Sequence, residues 1–139
     1  MVGCGRSHTC ACTEVGDVYT WGNNSSGQLG HGTTDNELSP RKVTALNGKK
    51  IEAVFCGACH TVAITDLSSM YSWGQGQKFQ LGQGDLPVDI PLPKLMQSLV
   101  SKRVSTVGCG KVHSLMCSEN GEVYSWGTNE KGCLGRGKS

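Results

Sequence analysis

Short runs in which apolar and polar residues alternate recur along the chain. In the segment after His8, Cys10 and Cys12 fall on one face of such a run, with Thr9 and Ala11 on the other. The later positions equivalent to Cys10 and Cys12 are Val62 and Ile64, then Leu115 and Cys117. Alternation with a period of two over four to eight residues predicts β-strands.

A turn and a returning strand are predicted after each of these runs. The turns contain Gly16-Asp17 in the first case and Asn120-Gly121 in the last, and Asn-Gly between alternating runs is a strong hairpin signal. The returning runs, of the type Val-Tyr-Thr-Trp, have the β-branched and aromatic residues that suit a half-buried sheet. A proline-containing stretch then leads to further apolar runs. Glycines interrupt the chain too often for long helices, and only residues 95–100 suggest a short helical turn.

This whole pattern repeats with a period of 52 and then 53 residues. Three signatures recur in the same order: Gly-x-x-His, Tyr-x-Trp-Gly and Leu-Gly-x-Gly. Periods of this length indicate a solenoid, a propeller or an array, and about four short strands per unit predict one propeller blade each. We therefore expect an all-β chain, with fewer than three blades of about four antiparallel strands. The predicted units are repeat 1 at about residues 2–54, repeat 2 at about 55–107 and a truncated repeat 3 at about 108–139.

The repeats do not account for a complete ring. We expect repeat 1 to lack its opening strand and repeat 3 to lack about its last 20 residues, so that the chain is part of a larger parent. Sheet flanks left open in this way are a route to edge pairing. Either the rest of the parent closes the ring or copies of the chain associate, and the sequence leaves both possibilities open.

Charge and hydropathy narrow the functional classes. Thirteen Lys and Arg against eleven Asp and Glu give a net charge of +2, which disfavours a dedicated nucleic-acid module. No apolar run is long enough to span a membrane, so no membrane partner is expected. No secretory signal pattern is present at the N-terminus.

Eight cysteines suggest cofactor chemistry at first sight, and the repeat argues against it. Cys56, Cys59 and His60 match the C-x-x-C-H pattern for haem attachment, but Cys56 and His60 have counterparts in every unit. Structural zinc requires four converging ligands, whereas several cysteines take apolar strand positions, where a thiol acts as a small hydrophobic group. We therefore expect no cofactor, no metal and no disulfide framework, which is typical of a reducing cytosol or nucleus.

The repeated histidines raise the question of catalysis. General-base chemistry needs one histidine beside one nucleophile, whereas His8, His60 and His113 stand at equivalent positions in all three units. We expect each imidazole to hydrogen-bond backbone at the start of a strand, and we predict no enzyme activity. His31 is outside the repeated set and is predicted to lie on the surface.

The combination of Gly-x-x-His-Thr, Val-Tyr-x-Trp-Gly and Gly-Gln-Leu-Gly-x-Gly resembles the repeat of the regulator of chromosome condensation family. Ser68 and Phe79 depart from it by replacing glycines of repeat 1, and Cys133 departs in repeat 3. The resemblance implies a seven-bladed propeller that serves as a protein-interaction module, a scaffold or a regulatory domain of a larger protein. It also implies an alternative, guanine-nucleotide exchange on a small GTPase, with chromatin docking as a further family property. Ultraviolet sensing in this family implies a tryptophan in the Gly-x-x-His loop, where this chain has none.

Partner-binding residues are expected where the repeats differ, because loops on rigid scaffolds commonly carry function. The variable positions of the three Gly-x-x-His loops are Arg6, Ser7, Ala58, Cys59, Lys111 and Val112. We predict that these loops contact a protein partner, in the cytoplasm, the nucleus or both. A merely exposed role for them remains an equal alternative.

Overall fold

The computed structural model describes residues 1–84, 87–99 and 101–136, which form three antiparallel sheets. Strands β1 to β4 make the first sheet, β5 to β8 the second, and β9 to β11 the third, each in chain order across the sheet. The strands are β1 Val2–Cys4, β2 His8–Cys12, β3 Val18–Gly22, β4 Glu37–Lys42, β5 Ile51–Cys56, β6 His60–Thr65, β7 Met70–Gly74, β8 Ile90–Leu95, β9 Val104–Cys109, β10 His113–Ser118 and β11 Val123–Gly127. The fold is a partial β-propeller, as the sequence predicted.

The register of the central hairpin is the same in all three sheets. Each histidine opens the second strand opposite the glycine of Tyr-x-Trp-Gly, and the next residue faces the tryptophan. The outer strands β4 and β8 contain prolines, which an edge strand tolerates because its outward N–H groups have no ladder partner. Consecutive strands therefore pair as simple hairpins, from the inner strand of each sheet to its outer one.

The sheets have the period of the sequence repeat but begin at a different point. The expected boundary at residues 54 and 55 falls inside β5, because Ile51–Cys56 pairs with β6 of the second sheet and so opens that sheet. The first sheet also has an opening strand, contrary to expectation, since Val2–Cys4 pairs with β2. A short 3₁₀ turn at Gln97–Leu99 lies within the predicted helical turn, whose last residue, Val100, is outside the described residues.

Two hydrophobic cores fill the spaces between the three sheets. The first contains Cys10, Cys12 and Val18 of the first sheet against Val54 and Trp73 of the second. The second contains the opposite face of the second sheet and the facing side of the third, with Val62, Ile64, Met70, Met96, Val107 and Met116. Strand β6 is consequently buried on both faces along its whole length. Among the described residues, no helix is long and apolar enough to cross a membrane.

The backbone of two turns in repeat 2 keeps the left-handed conformation although a glycine is replaced there. Gly16 and Gly121 have φ values of 92° and 84°, and Ser68 at the equivalent position keeps the left-handed conformation with φ 64°. Phe79, which stands where repeat 1 has Gly27, does the same with φ 60°. This region costs a side-chain-bearing residue on the order of 1 kcal/mol. The packing of the blades therefore imposes the turn on sequences that do not favour it.

Candidate protein-binding face

The three Gly-x-x-His loops lie side by side at one end of the inner strands. Each loop joins the first strand of a sheet to the second, and backbone hydrogen bonds connect the neighbours. The N–H of Arg6 donates to the carbonyl of Ala58 at 2.9 Å, and the N–H of Ala58 donates to the carbonyl of Lys111 at 3.3 Å. The repeat thus places variable residues from three separate parts of the sequence next to one another.

Five of the six predicted site residues line one shallow cavity of about 300 Å³. They are Arg6, Ala58, Cys59, Lys111 and Val112. Ser7 is exposed beside the cavity without lining it. We call the surface formed by these six residues, together with the further lining residues Gln75, Gln77, Lys78 and Glu130, the loop face.

The third residue of each loop is held by its own sheet. The carbonyl of Cys59 accepts the N–H of Gln75 at 2.8 Å, and the carbonyl of Ser7 accepts the N–H of Asn23 at 2.9 Å. The same bond joins Val112 to Thr128 in the third sheet at 3.0 Å. These bonds fix the backbone of the loops, so the loop face presents its variable side chains from a rigid frame.

The loop face carries an excess of positive charge. Arg6, Lys78 and Lys111 are exposed cations, and Glu130 is the acidic residue among the lining side chains. None of the ion pairs found among residues 1–84, 87–99 and 101–136 involves these three cations. Their charges are therefore directed to solvent.

Buried side chains beneath the loops connect neighbouring sheets. Nε2 of His8 lies 3.0 Å from Oγ1 of Thr61, which donates to the carbonyl of Gln28 at 2.9 Å, and Nε1–H of Trp73 donates to the same carbonyl at 2.9 Å. The second interface repeats this set with His60, Ser114, Gln80 and Trp126, at 2.9, 3.2 and 2.9 Å. We call each set an interblade relay. His8 and His60 thus bond a side-chain hydroxyl of the next sheet, and for these two the expectation of a backbone partner was wrong. The hydroxyl lies 53 or 54 residues further along the chain and reaches the imidazole only through the packing of the sheets.

The interblade relay determines which ring nitrogen of His8 and His60 donates a hydrogen bond. Since the hydroxyl of Thr61 or Ser114 donates its proton to a carbonyl, the imidazole must donate from Nε2, and in a neutral ring Nδ1 is then the unprotonated nitrogen. Nδ1 of His8 and of His60 is buried with no hydrogen-bond partner in the described part of the chain. Burial first, and then the nearby charges of His8 and His113, lower the pKa of His60 to about 4. His60 is therefore neutral at physiological pH and acts as a hydrogen-bond donor that joins two sheets.

His31 has a structural role that the sequence did not suggest. It is half-buried rather than a free surface residue, and its Nε2 lies 2.9 Å from Oγ1 of Thr20. Gln83 makes the equivalent bond to Ser72 at 2.9 Å, and Arg136 makes it to Ser125 at 3.3 Å. The available signal was the small hydroxyl residue found between Tyr and Trp in every repeat, which donates to a leucine carbonyl and can accept from any of these three side chains.

The cysteine and histidine motif at residues 56–60 does not converge on a ligand. His60 turns into the interblade relay, whereas Cys59 faces the loop-face cavity and Cys56 lines a different one. Within residues 1–84, 87–99 and 101–136, no group of three or more His, Cys, Asp or Glu side chains is arranged to hold a metal ion. All eight cysteines are free thiols.

Sequence reasoning missed part of the loop face. Gln75, Gln77 and Lys78 follow Tyr-x-Trp-Gly in repeat 2, and Glu130 follows it in repeat 3. This segment also varies between repeats, as the Gly-x-x-His loops do, and that variation was the available signal. Its position against the neighbouring sheet's loop could be seen only in the fold.

Three sheets packed face to face, with repeated loops gathered at one end, define this protein as a segment of a β-propeller. The chain belongs to the regulator of chromosome condensation (RCC1) repeat family, whose repeat matches residues 15–64 and 68–117. A second form of the same repeat matches residues 51–80 and 104–133.

Three proteins similar to this chain are each much longer than it is. The chain is 40% identical over 137 residues to the ultraviolet-B receptor UVR8 of Arabidopsis thaliana, covering 99% of the chain and 31% of the receptor. It is 37% identical over 138 residues to the E3 ubiquitin-protein ligase HERC2 of Homo sapiens, covering 98% of the chain and 3% of the ligase. The solved structure of yeast RCC1 (Prp20) bound to Kap60 is similar with a TM-score of 0.78 at 27% identity, covering 91% of the chain and 29% of that protein. The chain thus spans less than a third of each of these relatives.

Proposed function

We propose that this chain is a protein-interaction module, one part of an RCC1-like propeller that serves as a scaffold or regulatory domain of a larger protein. The observation that carries the proposal is the loop face, a rigid, exposed cavity in which residues of three repeats meet. Family membership supports the same conclusion, because relatives such as HERC2 combine RCC1 repeats with a much longer chain. We place its activity in the cytoplasm or the nucleus.

The partner that best fits the loop face is an acidic protein segment. Arg6, Lys78 and Lys111 supply three solvent-directed cations around a cavity with one carboxylate, Glu130. Complementary charge speeds association and fixes the register of a bound chain. The half-buried Ala58 and Val112 between the cations provide apolar contact for side chains of the same segment.

The test is binding of a fluorescent Glu-rich dodecapeptide to the whole chain, followed by anisotropy, with a Gln-rich peptide of equal length for comparison. Reversing two cations with Arg6→Glu and Lys111→Glu is expected to weaken binding of the Glu-rich peptide at least tenfold. The matched control, Lys50→Glu with Lys94→Glu, alters net charge equally at exposed sites away from the loop face and should bind as the wild type does. Equal losses in both double variants would show that only net charge matters and would remove the loop face from the proposal.

Guanine-nucleotide exchange on a small GTPase is the second candidate, supported by membership of the RCC1 family. Its test is the release of labelled GDP from a nuclear small GTPase in the presence of the chain. Release that is accelerated by the wild type and abolished by the Arg6→Glu, Lys111→Glu variant would favour exchange over simple docking.

Self-association through the open sheet flanks would appear as a dimer in light scattering. Light sensing is not proposed, because Trp73 and Trp126 serve the interblade relays.

A further inference from the structure

Two thiols from different sheets meet at the first interface. Sγ of Cys10, on β2, lies 2.9 Å from Sγ of Cys56, at the end of β5, although the residues are 46 positions apart. Gly3 leaves the space for them, since a Cβ there would stand 3.1 Å from one sulfur and 3.4 Å from the other. The two sulfurs are therefore adjacent without any movement of the strands that carry them.

The second interface provides an internal comparison. Cys109 is the repeat equivalent of Cys56, but Val62 stands where the first repeat has Cys10, and both lie in the second core. Burial raises the pKa of Cys109 to about 12. The pKa of Cys56 is lowered instead, chiefly because the thiol of Cys10 can donate a hydrogen bond to its anion. The same backbone position thus holds an inert thiol at one interface and an activated thiol at the other.

Access to the pair is one-sided. Cys10 is fully buried, whereas Cys56 is half-buried and lines a cavity of about 450 Å³ at the end of the inner strands, with Gly5 and Arg6 on its rim. Cys4 and Cys109 line the same cavity and Cys10 does not, so a small oxidant that enters it meets Cys56 before Cys10. Cys10 then lies directly behind it, in the position of a resolving thiol.

We propose that Cys10 and Cys56 are an oxidisable pair that a hydroperoxide converts to a disulfide between the first and second sheets. The thiolate of Cys56 attacks a peroxide oxygen and breaks the O–O bond, giving a sulfenic acid at Cys56 and hydroxide, which takes up a proton to become water. The sulfur of Cys10 then attacks the sulfenic sulfur, and the hydroxyl group leaves as a second water with the proton of Cys10. Two thiols lose two electrons and two protons, and one hydrogen peroxide becomes two waters. The product ties the two sheets together at the base of the loop face.

The experiment treats the whole folded chain with hydrogen peroxide and analyses it under non-reducing conditions by mass spectrometry. The expected product has lost two hydrogen atoms, and fragmentation of its peptides connects Cys10 to Cys56. Cys10→Val, which introduces the residue of the second repeat, should abolish this product and leave Cys56 as unreactive as Cys109, because the hydrogen bond that lowers its pKa is removed. Cys12→Ile is the matched control, because it makes the same kind of replacement on the same strand and should leave the cross-link unchanged.

Unfolding supplies a second measurement that does not depend on peptide mapping. The oxidised wild type should unfold at a higher urea concentration than the reduced form, and the reducing agent dithiothreitol should reverse the shift. The shift should be absent from Cys10→Val. The proposal is overturned if Cys56 of the wild type reaches the sulfinic acid while Cys10 stays reduced, or if the disulfide joins Cys56 to Cys4 or Cys59.

Discussion

The neutral imidazole of His60 makes the stability of this protein dependent on pH. Its ring is buried between two sheets, donates from Nε2 to Ser114 and has no acceptor for a proton on Nδ1. Lowering the pH is therefore a perturbation directed at one interface. We predict that the free energy of unfolding falls as the pH is lowered from 6.5 to about 4, and that His60 accounts for a defined part of this fall.

The size of the effect follows from the difference between two pKa values. The pKa of His60 is 6.5 in an ordinary environment and about 4 in the fold. Below pH 6.5 His60 is protonated in the unfolded chain, whereas in the folded chain it stays neutral down to about pH 4. The unfolded state therefore binds more protons in this window, and the free energy of unfolding rises with pH across it. The full stabilisation is present above pH 6.5, and on the order of 3 kcal/mol is lost by pH 4. The steepest slope that one histidine can give is about 1.4 kcal/mol per pH unit.

The assay is urea unfolding, followed by tryptophan fluorescence, of the wild type and His60→Gln between pH 4 and 8. The variant should be less stable at pH 8 and should show a slope smaller by about one proton between pH 4 and 6.5. His31→Gln, which introduces the residue that repeat 2 carries at Gln83, should keep most of the slope, because His31 is only partly buried. An unchanged slope in His60→Gln, or an NMR titration of the His60 ring with a midpoint near 6.5 in the folded wild type, would refute the reasoning.

Two further predictions concern backbone positions. Ser68→Gly should stabilise the chain by about 1 kcal/mol, since Ser68 adopts the left-handed φ of 64° that Gly16 adopts in repeat 1, and a rise in the urea midpoint would measure this; a lower midpoint would contradict the assigned strain. Gly57→Ala should destabilise the chain by at least about 3 kcal/mol, because a Cβ there would overlap the ring of His60 and approach the backbone of the next loop. Gly108→Ala places its Cβ in open space and is the control, so equal thermal shifts in the two alanine variants would rule out this steric explanation.

The strands and their hairpins could be predicted from the sequence because they depend on neighbours. Alternation sets the face of each residue, and Gly16 or Asn120 with Gly121 specifies the turn that brings two strands together. Repetition then made the prediction of blades secure, since each unit carries the same local signals. The repeat boundaries expected near residues 55 and 108 fall within β5 and β9, because Ile51–Cys56 has the same local pattern whether it closes one sheet or opens the next.

The candidate site was predicted in part. Variation between repeats led to Arg6 and Lys111, and the packing of the sheets brings them to one cavity. The same reasoning did not reach Lys78 and Glu130, because they belong to a different loop of each repeat. Their inclusion depends on how one sheet's outer loop approaches the next sheet's inner loop, and no local pattern records that approach.

The sequence by itself determined the period, the strand signals, the glycines that turns require and the hydroxyl residues that recur beside His and Trp. The tertiary structure alone determined which faces are buried. Strand β6 is covered on both sides, whereas on β10 it is Ser114 and Met116, not Leu115, that are buried, because the second sheet packs on that face. It also determined that His60 meets Ser114 and that Cys10 meets Cys56. Such contacts join residues about one repeat apart. They form because whole sheets stack against one another, and the sequence around one residue carries no information about the residue that it will meet.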